Sequence, residues 1–449
     1  MTSSDTIAAI ATPPGRGGIG VIRISGTDLK GFGKTLLGEL PIPRQAMFKS
    51  FLDTEGRAID QGIALFFPAP YSYTGEDVLE LQGHGGPAIQ NLLLNQCLIS
   101  GARLAQPGEF TLRAYLNNKI DLIQAESVAD LIEANTHEAA RCAANSLRGN
   151  FSNKIEELVN MLTELRMFIE ATINFPEDNI DDLPLSPIDE KMRQIDARFK
   201  QIFQTAQQGK ILKEGIRIVL AGEPNVGKSS LLNQLAEDDV AIVTEIPGTT
   251  RDIIERTITI EGITIHIIDT AGLRETSDIV EQKGIERTHA AIKNAHMVIW
   301  IMDISRQLPP IDVEAIHSIS ADIPRITVYN KIDLINGPAR IEQHNDSTAI
   351  DISAKTGVVI DLLRKKILTI AGWQHNTEGL FTARQRHLEA LTTAQAHLNS
   401  ARTFATHESQ LELLAEELRL SQLALSSITG EFTADDLLGE IFSHFCIGK

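Results

Sequence analysis

The stretch IRIVLAGEPNVGKSS, residues 216–230, decides the fold. A short apolar run leads straight into a glycine loop, and GEPNVGKS (222–229) fits G-x-x-x-x-G-K-[ST] after a strand, as a P-loop requires. Glycines let backbone N–H groups wrap phosphates. Lys228 would reach the β and γ phosphates, and Ser229 would ligate Mg²⁺. Asn225, Val226, Gly227 and Ser230 complete the stretch expected to line the nucleotide.

Three later signals extend the pattern, each after a strand-like run. DTAG follows ITIHII, so Asp269 can stand behind Mg²⁺ and the Gly272 N–H can meet the γ phosphate, with Thr270 and Ala271 between them. NKID (330–333) follows ITVY. Asn330 and Lys331 open this loop, and Asp333 offers a carboxylate to the two N–H groups of a guanine edge, which adenine cannot match. SAK (Ser353, Ala354, Lys355) follows AIDI, and its backbone can contact guanine O6. Between P-loop and DTAG lies TEIPGTTRD (244–252), read as the first switch loop: Thr244, Glu245, Ile246, Pro247, Gly248, Thr249 and Thr250. Thr250 is the hydroxyl expected on Mg²⁺. The order of these signals points to GTP.

Leu273 raises a difficulty. In Ras-like proteins the residue after DTAG is the glutamine that orients the attacking water, and leucine can orient nothing. An arginine finger is worth roughly 10³ to 10⁵ in rate, and no obvious one presents itself. A cation could take its place, because this step is mostly electrostatic. The side-chain oxygen of Asn225 and switch-loop carbonyls could hold a monovalent ion. A carboxylate for the water would come from Glu275, Asp278 or Glu281 of RETSDIVEQKG.

Residues 1–118 are expected to be β-rich: GVIRIS (20–25) and DVLELQ (77–82) alternate with period two, between the turn-rich TPPGRGG and GHGGP. From Lys119 no proline intervenes until Pro176, and apolar residues recur at helical spacing. FPEDNIDDLPLSPID (175–189) is an acidic connection. From 215 to 372 strand-like runs alternate with helical ones, which predicts a largely parallel sheet. Residues 373–449 are helical again. The expected plan is multidomain: an α/β P-loop domain (215–372) inserted into an α-helical domain (119–214 and 373–449), after an α+β N-terminal domain (1–118).

The 449 residues are 43% hydrophobic and 22% charged, enough for several cores. A net charge of −18 argues against broad nonspecific nucleic-acid binding. Cys97, Cys142 and Cys446 form no CxxC pair, so neither a disulfide framework nor a zinc ribbon is expected. No stretch approaches the ~18 apolar residues of a spanning helix, and the N-terminus lacks a basic signal-peptide region. The expectation is a soluble, cytoplasmic protein without membrane insertion.

The chain also resembles one family along essentially its whole length, the tRNA modification GTPases of the MnmE (TrmE) type. The resemblance rests on DTIAAIATPPGRGGIGVIRISG, YTGEDVLELQGHGGP, QPGEFTLRAYLNNKIDLIQAE, GEPNVGKSSLLN, IPGTTRDIIE, DTAGLRETSDIVEQKGIER and TGEFTADDLLGEIFSHFCIGK. It implies an N-terminal domain that binds a tetrahydrofolate derivative, in a 5-formyl or methylene form, and makes a homodimer. It implies G domains that meet when K⁺ and GTP bind. It places the general base on Glu281, acting through a water network, and gives the K⁺ ligands as Asn225, Thr244, Ile246 and Thr249. Potassium and Glu281 then replace finger and glutamine, and Leu273 is tolerated.

The resemblance also implies a partner, the FAD-dependent MnmG (GidA), in a heterotetramer or larger complex. Together they add an aminomethyl or carboxymethylaminomethyl group to C5 of the wobble uridine of certain tRNAs. Arg23, Glu80, Lys119 and Lys449 are the implied folate ligands. The terminal CIGK mimics a prenylation box, but Gly448 and Lys449 fit it poorly and no basic run precedes it. The resemblance instead makes Cys446 essential for tRNA modification and dispensable for GTP hydrolysis. The rivals are a ribosome-assembly or regulatory GTPase, and a nucleotide-gated scaffold that does not hydrolyse.

Overall fold

Ile216–Gly222 is a strand, and the loop after it opens a helix at Lys228. The computed structural model describes residues 5–174, 185–223, 225–236, 255–269, 295–306, 323–335, 340–344, 347–374, 379–405, 410–431, 435–443, 445, 446 and 448. Its elements run β1 (Ile7–Ile10), β2 (Gly17–Gly26), α1 (Lys30–Leu37), β3 (Met47–Leu52), β4 (Ala58–Phe67), β5 (Asp77–Gly85), α2 (Pro87–Ile99), β6 (Arg103–Leu104), α3 (Glu109–Leu116), α4 (Leu122–Glu133), α5 (His137–Leu147), α6 (Asn150–Asn174) and α7 (Leu185–Glu214). There follow β7 (Ile216–Gly222), α8 (Lys228–Ala236), β8 (Glu255–Ile260), β9 (Ile263–Asp269), β10 (Met297–Asp303), β11 (Arg325–Asn330), β12 (Ile341–His344), β13 (Ser347–Asp351), α9 (Ile360–Ile370), α10 (Gln385–Phe404), α11 (Leu411–Thr429) and α12 (Asp435–Ser443).

The chain divides into two compact units. One comprises Met1–Ala129, Ser146–Asp196 and Ala390–Lys449; the other comprises Asp130–Asn145 and Ala197–Glu389.

In the first unit a six-stranded sheet is ordered β3-β4-β5-β2-β1-β6. Its pairs are antiparallel except β1 with β6. Alternation decides the faces. Ile22 and Ile24 of β2 and Leu79 and Leu81 of β5 are buried with Phe32 and Leu36 of α1 and Leu93 of α2, while Arg23 and Glu80, paired across β2 and β5, fall between them in the alternation. Helices complete the unit: Ser421 Oγ of α11 donates to Ala394 O of α10 (2.9 Å), and Arg166 of α6 donates to Gln422 Oε1 (2.8 Å). Asp121 and Gln124 form a reciprocal cap at the start of α4: Gln124 N–H donates to Asp121 Oδ1 (2.8 Å), and Asp121 N–H to Gln124 Oε1 (3.0 Å).

An ion network centred on the buried Arg113 ties the N-terminal sheet to α3. The Arg113 guanidinium, only 3% exposed, meets Glu76 (2.9 Å), Asp5 (2.9 Å) and Glu109 (3.0 Å). Arg103 also donates to Glu109 (2.9 Å). Burial works against the charged form of Glu109, but Arg103, the Gln106 N–H and Arg113 outweigh it and hold its pKa below the usual carboxylate value. Removing one member of such a network is costly, because it leaves its partners' charge uncompensated where water is scarce.

In the second unit a seven-stranded sheet is ordered β12-β13-β11-β10-β7-β9-β8. The central strands are parallel, and β8 and β12 close the edges antiparallel. Side chains on both faces are buried, as in parallel sheets generally. Ile218 and Leu220 of β7 enter one core with Leu231 and Leu235 of α8 and Leu363 and Ile367 of α9. Val219 and Ala221 enter another with Ile268 and Val298. The α/β P-loop fold expected from the alternating runs is thus present. The antiparallel edge strands were not legible, because a strand's direction depends on its connections and not on its own pattern.

Candidate functional site

The loop between β7 and α8 follows from its residues' backbone tolerance. Gly227 stands at φ 99° and Asn225 at φ 64°, a left-handed conformation that asparagine accepts better than most residues. A Cβ on Gly222 would strike Ile301 O of β10, and one on Gly227 would strike Asn330 Nδ2. Glycine is therefore needed for close approach at both places. Lys228 is the first residue of α8 and is 7% exposed. Its ammonium donates to Gly222 O (2.6 Å) and Glu223 O (3.1 Å), curled over the loop's own carbonyls. Ser229 and Ser230 are exposed in the first turn. Helix N-termini favour anions, so this end suits phosphate. The far end of α8 is pinned by Arg364 of α9, which donates to Gln234 O (2.7 Å).

Asn330 joins three motifs that lie apart in sequence. Buried at the end of β11, it donates from Nδ2 to Val226 O of the loop (2.8 Å). Its Oδ1 accepts from the Ala354 N–H (2.9 Å) and the Lys331 N–H (2.8 Å). Ser353 Oγ donates to Asp333 Oδ1 (2.7 Å), which orients that carboxylate. Lys355 is exposed beside them. Phosphate loop, base-reading loop and SAK turn thus form one bonded assembly.

Asp303, at the end of β10, was missed in the sequence. Lys331 Nζ donates to its Oδ2 at 2.6 Å, and Ser305 donates to Oδ1 from N–H (3.0 Å) and hydroxyl (2.6 Å). Burial raises the Asp303 pKa, but Lys331 and Ser305 outweigh it and hold the carboxyl below its usual range. The only sequence signal is an acid closing an apolar strand, MVIWIMD.

A second constellation lies in the first unit. Arg23 of β2 and Glu80 of β5 pair at 2.9 Å, and Arg23 Nε also donates to Glu80 Oε1 (3.0 Å). Both are mostly buried, and the guanidinium lies over the rings of Tyr73 (5.5 Å) and Phe110 (5.8 Å). Glu80 Oε2 takes no partner among the described residues. The C-terminal tail arrives here: Arg23 Nη1 donates to Gly448 O (3.4 Å), and Gly108 N–H donates to Cys446 O (3.4 Å). Gly448 needs its positive φ of 100°, and a Cβ there would hit Ile10 O. Cys446 is exposed, whereas Cys97 and Cys142 are buried and their thiols are pushed up to about 12 by burial. Lys119 is exposed, with its stem against Gly75, and makes no hydrogen bond or ion pair with Arg23 or Glu80.

The comparisons fall on both units. The family model described as MnmE helical domain matches residues 122–446, and that of the GTP-binding protein TrmE N-terminus matches residues 6–119. The chain belongs to the MnmE family of tRNA modification GTPases. Among curated MnmE proteins, that of Nitrosomonas europaea is 59% identical, with all of both chains covered. That of Nitrosospira multiformis is 56% identical, again over all of both chains. That of Neisseria meningitidis is 52% identical over 99% of each.

Several MnmE-type assignments lie outside the described residues: Thr244 to Thr250, Thr270, Ala271, Gly272, Leu273, Glu281 and Lys449, together with the side chain of Asp269. Among the described residues, no group of three or more His, Cys, Asp or Glu could hold a metal. No helix there is long and apolar enough to cross a membrane.

Proposed function

We propose that this MnmE family member is a K⁺-dependent GTP hydrolase. With the FAD-dependent MnmG it adds an aminomethyl or carboxymethylaminomethyl group to C5 of the wobble uridine of certain tRNAs. The observation that carries the nucleotide part is the Asn330 carboxamide, which bonds the phosphate loop and the SAK turn at once. A site already assembled around the guanine-reading residues needs little reorganisation to bind GTP.

In this reading Lys228 leaves the loop carbonyls for the β and γ phosphates, and Asp333 accepts the two guanine N–H groups. Ser229 and Thr250 would hold Mg²⁺, with Asp269 behind it. Hydroxyls, a carboxylate and phosphate oxygens are the hard donors that this ion prefers. Asn225, Thr244, Ile246 and Thr249 would hold K⁺, whose positive charge would offset the charge developing on the transferred phosphoryl group. Glu281 orients the water. Arg23, Glu80, Lys119 and Lys449 hold the folate derivative. Glu80 Oε2, which takes no partner among the described residues, suits this role as an acceptor for pterin N–H groups. Cys446 serves the tRNA chemistry and not hydrolysis. The chain works as a cytoplasmic homodimer, with its folate, helical and G domains at residues 1–118, 119–214 plus 373–449, and 215–372.

The test is phosphate release by the purified chain in KCl and in NaCl at equal ionic strength. Hydrolysis should fall by about tenfold or more in Na⁺, the order expected when a stabiliser of transition-state charge fits poorly. Asn225→Ala should be slow in both salts. Equal rates of the native chain in both salts would sink the potassium assignment and leave the GTPase.

A further inference from the structure

The geometry points to Asp303 as a positioning residue of the nucleotide site, acting through Lys331. This rests on the guanine-nucleotide reading above. Asp303 ends β10 directly beside Asn330 of β11 in the parallel register. Its side chain is 3% exposed, and its two oxygens divide their work. Oδ1 accepts both donors of Ser305, which fixes the carboxylate, and Oδ2 faces the Lys331 ammonium at 2.6 Å. Arg306 Nε lies farther off, at 3.5 Å from Oδ2.

Lys331 is consequently held at both ends. Its backbone is left-handed (φ 72°), and its N–H donates to Asn330 Oδ1 (2.8 Å). Its ammonium is bound to the neighbouring strand. In the sheet, β10 lies between β11 and β7. The lysine stem therefore runs from the base-reading strand toward the strand that carries the phosphate loop. A lysine stem is costly to order, and much of that cost is met before nucleotide arrives. The Lys331 side chain is 28% exposed, so without Asp303 its ammonium can turn to solvent and the stem must be ordered on binding.

The experiment is a double-mutant cycle in the full chain, read as the Kd of fluorescent N-methylanthraniloyl-GDP. Asp303→Asn should weaken binding roughly tenfold, the size expected for ordering one long side chain and losing its charge partner. Lys331→Ala should weaken it at least as much. Adding Asp303→Asn to Lys331→Ala should cost nothing further, because the residue acts only through the lysine. Thermal midpoints are read in parallel. If Asp303→Asn does not fold, Ser305→Ala takes its place, since it removes the hydroxyl donor on the same carboxylate and leaves only the backbone N–H: a smaller loss is expected, again absent in the Lys331→Ala background. Losses that add in both backgrounds, or an unchanged Kd in Asp303→Asn, overturn the inference alone. A native chain that does not bind the probe overturns the nucleotide reading, and this inference with it.

Discussion

Glu281→Ala is expected to slow GTP hydrolysis by about 10²- to 10⁴-fold, the range for a positioned general base. The Kd for GTP should stay within a few fold of native. The reason is the residue after DTAG: the Leu273 side chain can neither accept nor donate a hydrogen bond, so water orientation needs another side chain. A group that acts on the water contributes in the transition state and little in binding, so its loss falls on kcat. Single-turnover phosphate release with saturating GTP, beside equilibrium titration, reads both quantities. Unchanged turnover removes Glu281 from the mechanism. A loss of affinity equal to the loss of rate would make it a binding residue.

Asp333→Asn should weaken GTP on the order of 10²-fold and turn the preference toward xanthosine nucleotides. A carboxylate accepts twice from the guanine edge, and hydrogen bonds to a charged group are worth about 1.5–3 kcal/mol each. The amide keeps one acceptor and turns a donor toward a ring that offers another, whereas the xanthine oxygen can receive it. Ser353 Oγ, 2.7 Å from Asp333 Oδ1, should hold the amide in the same orientation. The check is competition of GTP and XTP for the variant. If GTP retains its native advantage, NKID is not the base-reading loop.

Legibility followed the physics of each residue. Gly222, Gly227 and Asn225 could be placed from sequence because the loop demands backbone conformations that few side chains allow, and the structure holds two of them at φ 99° and 64° (Gly227 and Asn225). The strand ahead of the loop and the helix behind it follow from local pattern. Asp303 could not be placed. It meets Lys331 only because β10 and β11 run parallel in one register, and register is a property of two strands together. The same holds for Arg113, whose partners Asp5, Glu76 and Glu109 converge only once β1, the turn before β5 and α3 are packed. Arg23 and Glu80 were reached through family resemblance and not through spacing. Their pairing across β2 and β5, with Gly448 beside them, joins residues from both ends of the chain.

Wobble-uridine modification is the proposed task of this GTPase. The most direct measurement is mass spectrometry of tRNA nucleosides from a strain deleted for its own MnmE-type gene and complemented with this chain. The C5 aminomethyl or carboxymethylaminomethyl uridines should return with the native chain. Unmodified wobble uridine in cells that contain the folded, GTP-hydrolysing chain would contradict it and leave a regulatory GTPase in its place.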